Sequence, residues 1–263
     1  MEGKKVIFMA LLVFLFMIAV PLSTSGVEGQ IEIVQTLSTT FPILLDEPGN
    51  YLLMSDLTVS AVDTNCLQIT ADEVILDLNG YTLSGPGKGI GSSGCGILAC
   101  GQDCITIRNG TIQGFFTGLT LSGTSHEVKN LNVLNNTSCG LVIESAALAS
   151  CTAANNGSHG IEAESCTIKD CTASYNGACG LSSNSSNITN YTADHNSSHG
   201  ISATGNCRLE GCILSNNQGY GLSLHPDYSY VVRNGTSANV LGSFSIDGFH
   251  YLPTSGDDAN YEF

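Results

Sequence analysis

The sequence holds no tryptophan, and only eight lysines and arginines stand against 23 aspartates and glutamates, a formal net charge of −15. A polyanion repels phosphate backbones, so charge argues against nucleic acid as a partner. Charged residues are only 12% of the 263 and hydrophobic ones 42%, a balance too apolar for a disordered chain. Aromatic residues are 7%, which weakens any general platform for stacking sugars, although Tyr175, Tyr191 and Tyr220 remain available. Beyond the first thirty residues no segment is long and apolar enough to cross a bilayer.

What is present begins with an address. Lys4 and Lys5 precede an apolar run from Val6 to Val20, closed by Pro21 and the small residues Ser23, Thr24, Ser25 and Gly26. Basic, apolar and small-polar parts in that order read as a secretory signal peptide over residues 1–26. The competing reading is an uncleaved anchor, but the run falls short of the roughly 20 residues a span needs. The expectation is therefore a secreted or cell-surface protein with no membrane span after signal cleavage. In an oxidising space the eleven cysteines suggest disulfides, with an odd one unpaired; Cys95, Cys100 and Cys104 are the best place for a local bridge. The N-x-S/T sequons at Asn109, Asn135, Asn136, Asn156, Asn184, Asn187, Asn190, Asn196 and Asn234 read mostly as turn residues rather than glycan acceptors.

The dominant signal is a repeat. Asn recurs at 136, 156, 176, 196 and 217, and Gly at 140, 160, 180, 200 and 221. Gly118 and Gly96 continue the series upstream, and the window around Cys66 is a looser copy. Apolar residues keep fixed offsets: Leu141, Ile161, Leu181, Ile201 and Leu222, then Leu148, Ile168, Ile188 and Leu209, then Cys151, Cys171, Tyr191 and Cys212. Inward positions two residues apart are strand alternation. Each copy thus holds about three short strands, and only stacking at about 4.8 Å buries its apolar positions. The stacked asparagines are expected to form an amide ladder at a bend that needs left-handed backbone.

Together with PGNYLLMSDLTV (48–59), ADEVILDLNGYTLSG (71–85) and DCITIRNGTIQGF (103–115), this pattern resembles the right-handed parallel β-helix repeat proteins of the pectate-lyase-like superfamily over roughly residues 45–245. The resemblance implies an all-β, single-stranded right-handed parallel β-helix of about eight rungs. It would have an N-terminal cap at 27–50, a solenoid at 51–245 and a C-terminal tail or cap at 246–263. It leaves function open, because that solenoid carries lyases, hydrolases, epimerases, adhesins and proteins without known activity.

Five groups are candidates for chemistry. The slot before the marker Gly reads Cys139, His159, Cys179, His199 and then Tyr220. Cys139/His159 and Cys179/His199, with His195 nearby, suit a soft metal, copper or zinc. The family resembled includes an assembly protein for the copper site of nitrous-oxide reductase, which also admits copper. The preferred alternative is a turn slot that accepts any medium-sized residue, as Tyr220 suggests. Cys151 and Cys171 fall on adjacent rungs, either bridged or simply small and buried; Cys166 and Cys207 share a column two rungs apart, too far to bridge. Glu144, Glu162 and Glu164 point outward and suit Ca²⁺ or paired-carboxylate glycosidase chemistry, against a default of a solvated acidic face.

Enzymes of the family resembled use Ca²⁺ and a basic residue, or three Asp and a Gly-His-Gly motif. Ser-His-Gly at 158–160 and 198–200 belongs to the repeat, and no cation cluster assembles from Arg208 and Lys169, while Arg108 is expected to pair with Asp77. Thr152, Thr172 and Thr192 form one outward column, too narrow for an ice-binding face. No bound cofactor is required. The favoured reading is a non-catalytic solenoid contacting glycans or surface proteins; a polysaccharide lyase or hydrolase and a copper-handling protein are the alternatives.

Overall fold

The computed structural model describes residues 29–87, 93–225, 228–247 and 259–262. The expected signal peptide and most of the expected C-terminal tail lie outside them. Within them the chain is a right-handed parallel β-helix. Every strand pairing is parallel and links one turn of chain to the next, as Leu141–Glu144 pairs with Ile161–Glu164 and that strand with Leu181–Asn184. One wall is a ten-stranded sheet; the other two walls form a single 18-stranded sheet, because Thr106–Gln113 and His126–Leu134 run through both.

The solenoid has ten turns rather than eight. Gln30–Ile33 pairs with Gly49–Leu53 and Ile43–Leu45 with Leu67–Ile69, so residues assigned to a cap already form a rung. At the other end Gly242–Ile246 pairs with Tyr220–Leu224, and Tyr261–Glu262 with Gly235–Ser237. The N-terminal strands lack the Gly marker, and although Gly242 keeps the 21-residue spacing from Gly221, the register sets it opposite Tyr220 and places Ser243 in the marker slot.

Each regular rung turns three corners, and each corner has a residue at positive φ. Ser145, Ser150 and Asn155 serve one rung, Ser165, Asp170 and Tyr175 the next, and Ser185, Asn190 and His195 the one after. The ladder asparagines are therefore not the left-handed residues; the residue before each of them is. The asparagines point inward and are almost fully buried. Asn136 Nδ2 donates to Asn156 Oδ1, Asn156 to Asn176, and Asn176 to Asn196, all at 3.0 Å. The marker glycine follows from this column. A Cβ on Gly140 would lie 2.8 Å from Asn156 Nδ2 and 2.6 Å from Gly160 O, so the close approach, not the dihedral, requires glycine there.

The core is the expected columns. Leu141, Ile161, Leu181, Ile201 and Leu222 are completely buried, as are Ile168, Ile188 and Leu209. All eleven cysteines are unbonded, and the inward ones have a role beyond apolar filling. A corner interrupts the sheet ladder and leaves main-chain N–H groups in need of acceptors. Cys171 Sγ accepts from Cys151 N, and Cys207 Sγ from Ser186 N, both at 3.4 Å. Ser186 lies between Cys166 and Cys207 and accepts from Cys166 N. Burial pushes the thiols of Cys66 and Cys212 up to about 12.

Candidate functional site

The outer face of the ten-stranded sheet gathers most of the side chains singled out above. Register aligns Thr120, Val142, Glu162, Ser182, Ser202 and Ser223 in one outward column. Two residues further along lie Glu144, Glu164, Asn184 and Thr204. On the other flank the residues before the marker glycines stack in the order Cys139, His159, Cys179, His199 and Tyr220, each carbonyl accepting from the glycine one rung earlier. The cysteine–histidine slot and the glutamate patch are thus one surface: Cys139 Sγ lies 3.7 Å from Glu162 Oε2.

The glutamates sit in an open groove of about 220 Å³ lined by Thr120, Ser122, Val142, Glu144, Glu162, Glu164, Ser182, Asn184 and Thr204. Among the described residues neither lysine nor arginine lines it. The described cations lie on the other sheet and are paired there: Arg108 with Asp77 at 2.8 Å as expected, Lys129 with Glu127, Lys169 with Asp170, and Arg208 and Arg233 both with Glu210. Arg208 and Lys169 fall in different columns, since Arg208 aligns with Asn187 and Thr167, and Lys169 with Thr189 and Glu210.

The histidine slot has a geometry of its own. His159 Nδ1 accepts from Cys179 N at 3.3 Å, and His199 Nδ1 from Tyr220 N at 2.9 Å. A main-chain N–H can only donate, so the His199 ring carries its proton on Nε2 and spends its lone pair on the backbone, whereas the Cys179 thiol beside His159 raises the pKa of that imidazole despite its partial burial. Burial also holds His199 below the usual imidazole range. Among the described residues no group of three or more His, Cys, Asp or Glu side chains comes together to hold a metal. His195 stands apart from His199, across the turn, with its Nδ1 2.6 Å from Asp194 Oδ2. Cys139 and Cys179 are buried.

Sequence reasoning overlooked one member of this face, His225, and the stacking of two residues it had named. His225 Nε2 lies 3.4 Å from Ser202 Oγ, and the His199 and Tyr220 rings stack with centroids 5.7 Å apart. The signal for His225 was available, because it stands four residues after Gly221, the slot that carries Glu144 and Glu164. The face offers hydroxyls, an amide, carboxylates and a stacked ring pair. Among the described residues this face brings carboxylates and imidazoles together without a lysine or arginine beside them.

A family model described as "Right handed beta helix region" matches residues 117–248. Comparison with curated protein sequences finds no match. Among solved structures, the enzymatically active domain of bacteriophage CBA120 tailspike protein 2 is similar with a TM-score of 0.54 and 16% identity, over 73% of this chain and 34% of that one. The A-module of the Azotobacter vinelandii mannuronan C-5 epimerase AlgE4 is similar with a TM-score of 0.50 and 14% identity, over 73% of this chain and 59% of that one. The chain spans about a third of the tailspike domain and under two thirds of the epimerase module, and at these identities the likeness is one of fold.

Proposed function

The chain belongs to the right-handed β-helix family, and from that premise we propose that it is an exported or cell-surface protein that holds a polysaccharide along the outer face of its ten-stranded sheet without cleaving it. The observation that carries this reading is the groove, in which three rungs bring Glu144, Glu162, Glu164, Ser182 and Asn184 to one open surface. Rungs repeat at about 4.8 Å, close to the length of one sugar ring, so successive sugars meet equivalent slots. A fold neighbour named for its action on mannuronan supports a polysaccharide partner in general, not one of that charge.

The groove also sets the kind of polymer. Three carboxylates with no lysine or arginine among the described lining residues repel a uronate chain, so a neutral or amino-sugar glycan fits better than pectate or alginate. Lyase chemistry on a uronate needs positive charge beside the substrate carboxylate, and the described cations are paired on the other sheet. Export rests on the run from Val6 to Val20 behind Lys4 and Lys5.

Affinity electrophoresis through gels containing xylan, β-glucan, chitosan or pectate tests the proposal, with reducing ends and unsaturated products measured on the same mixtures. Retardation by a neutral or amino polymer, weakened in Glu162→Gln/Ser182→Ala and without product release, is expected. Product formation would make the protein an enzyme, and retardation by none would remove the glycan reading.

A further inference from the structure

A second surface stands out, at the third corner of the rungs and outside the groove. The left-handed residue there is Asn135, Asn155 and Asn216 in three rungs, but Tyr175 and His195 in the two between. Asparagine suits left-handed backbone because its short amide bonds locally. Tyrosine does not, and a bulky side chain at φ 56° is a conformational outlier. The rung of Tyr175 thus carries the costlier residue where the repeat offers a cheaper one, and the next rung places a second ring, His195, above it.

Both rings point outward and stack on each other, with centroids 4.9 Å apart and planes 18° from parallel. The stack is braced from one side. Asp194 Oδ2 holds His195 Nδ1 at 2.6 Å, while Asp194 Oδ1 accepts from Ser215 Oγ at 2.8 Å and Asn216 Nδ2 at 2.9 Å. Those bonds hold the Asp194 carboxyl below the usual carboxylate range despite its partial burial. His195 is thereby fixed, and it in turn supports one face of Tyr175. Tyr175 nevertheless stays 57% exposed, which leaves its opposite face to solvent, on the side of Asn155. The stack thus forms a braced ridge that rises from a column of small amides.

We infer that the Tyr175–His195 ridge is a sugar-binding site: the open face of Tyr175 takes the apolar face of a pyranose, and the amide of Asn155 and the hydroxyl of Ser174, whose carbonyl accepts from Asn155 N at 3.1 Å, meet its equatorial groups. A flat exposed ring beside amides and hydroxyls, without a cation, matches a neutral sugar. A nucleobase would also stack, but its phosphates meet a chain of net charge −15. The site is independent of the groove, since it rests on different residues across the turn.

The test exploits the repeat. Tyr175→Asn installs the residue that neighbouring rungs carry at the same corner, so the variant folds and its thermal midpoint stays equal or rises. Calorimetric titration with cello-, xylo-, laminari- and chito-hexaose is run on the full chain, on Tyr175→Asn and on the groove variant Glu162→Gln/Ser182→Ala. Two-dimensional NMR of the full chain follows the Asn155 and Tyr175 amides. Binding of at least one hexaose, weakened about tenfold in Tyr175→Asn, retained in the groove variant and shifting those amides, is the expected result. Equal affinity in Tyr175→Asn, shifts confined to the groove, or no binding of any hexaose would overturn the assignment.

Discussion

Asn156 donates its side-chain amide to Asn176 Oδ1, 3.0 Å away, and that same oxygen accepts the main-chain N–H of Asn156 at 3.1 Å. One carbonyl oxygen thus closes a corner of the preceding rung twice over, while Asn176 Nδ2 bonds Ala153 O at 3.0 Å. In a site this deeply buried every one of these bonds counts, because breaking one leaves a buried group unpaired.

Asn176→Ala should therefore destabilise the protein by about 2–4 kcal/mol, read as a shift in the denaturant midpoint. Asn155→Ala, at an exposed corner one rung earlier, should cost far less, near the value of a left-handed alanine, about 1 kcal/mol. Equal losses at the two positions would mean that the ladder is not what stabilises the corners.

His126 gives stability a pH dependence of defined sign. It is buried, its Nδ1 accepts from Ile105 N at 3.3 Å, and desolvation holds its pKa below the usual value. The unfolded chain therefore binds the proton more readily than the folded one, so stability is full above the unfolded pKa of about 6.5 and falls as pH drops below it. Thermal midpoints between pH 7.5 and 5 should decline, and the decline should be shallower in His126→Asn, which keeps an acceptor but cannot titrate.

Glu144 and Glu164 are direct partners on adjacent rungs, and Glu162 lies on the same strand as Glu164. Like charges directly opposite are destabilising. Glu164→Gln should stabilise the protein by about 0.5 kcal/mol at low salt, and 0.5 M sodium chloride should erase most of the difference. A loss of stability in the variant would show that Glu164 holds something, a cation included.

Thiol chemistry should follow depth. Cys100 and Cys104 are exposed, whereas Cys66, Cys139, Cys151, Cys166, Cys171, Cys179, Cys207 and Cys212 are buried. Alkylation at pH 8 followed by peptide mass spectrometry should mark Cys100 and Cys104 first, and the buried eight only after denaturation. Protection of Cys100 and Cys104 together, reversed by reductant, would reveal a bridge between them in the exported protein.

The fold was legible because its determinants are periodic: Asn136 to Asn217 and Gly140 to Gly221 mark each rung, and the apolar columns keep their offsets between the markers. The first rung was not, since Gln30–Ile33 and Ile43–Leu45 carry no marker and are recognised only by what they pair with. The left-handed positions were misplaced by one residue, because asparagine is common both inside and outside these corners. Cysteine as an acceptor for a corner N–H was invisible, since spacing gives a column but not the unpaired donor beside it. The cysteine–histidine slot and the glutamate patch were read as separate candidates; that they share a face follows from the turn geometry that brings Cys139 to Glu162.

The constant twenty-residue register between Leu141 and Ile201 has a consequence for chain length. Excision of 161–180 would join Gly160 to Leu181 and set each strand beside a partner of the type it already has. Length in this protein is thus a number of interchangeable layers, adjustable by whole units without redesign of the remainder. A shortened chain should unfold as cooperatively as the parent, with lower total stability and the same circular-dichroism signal per residue.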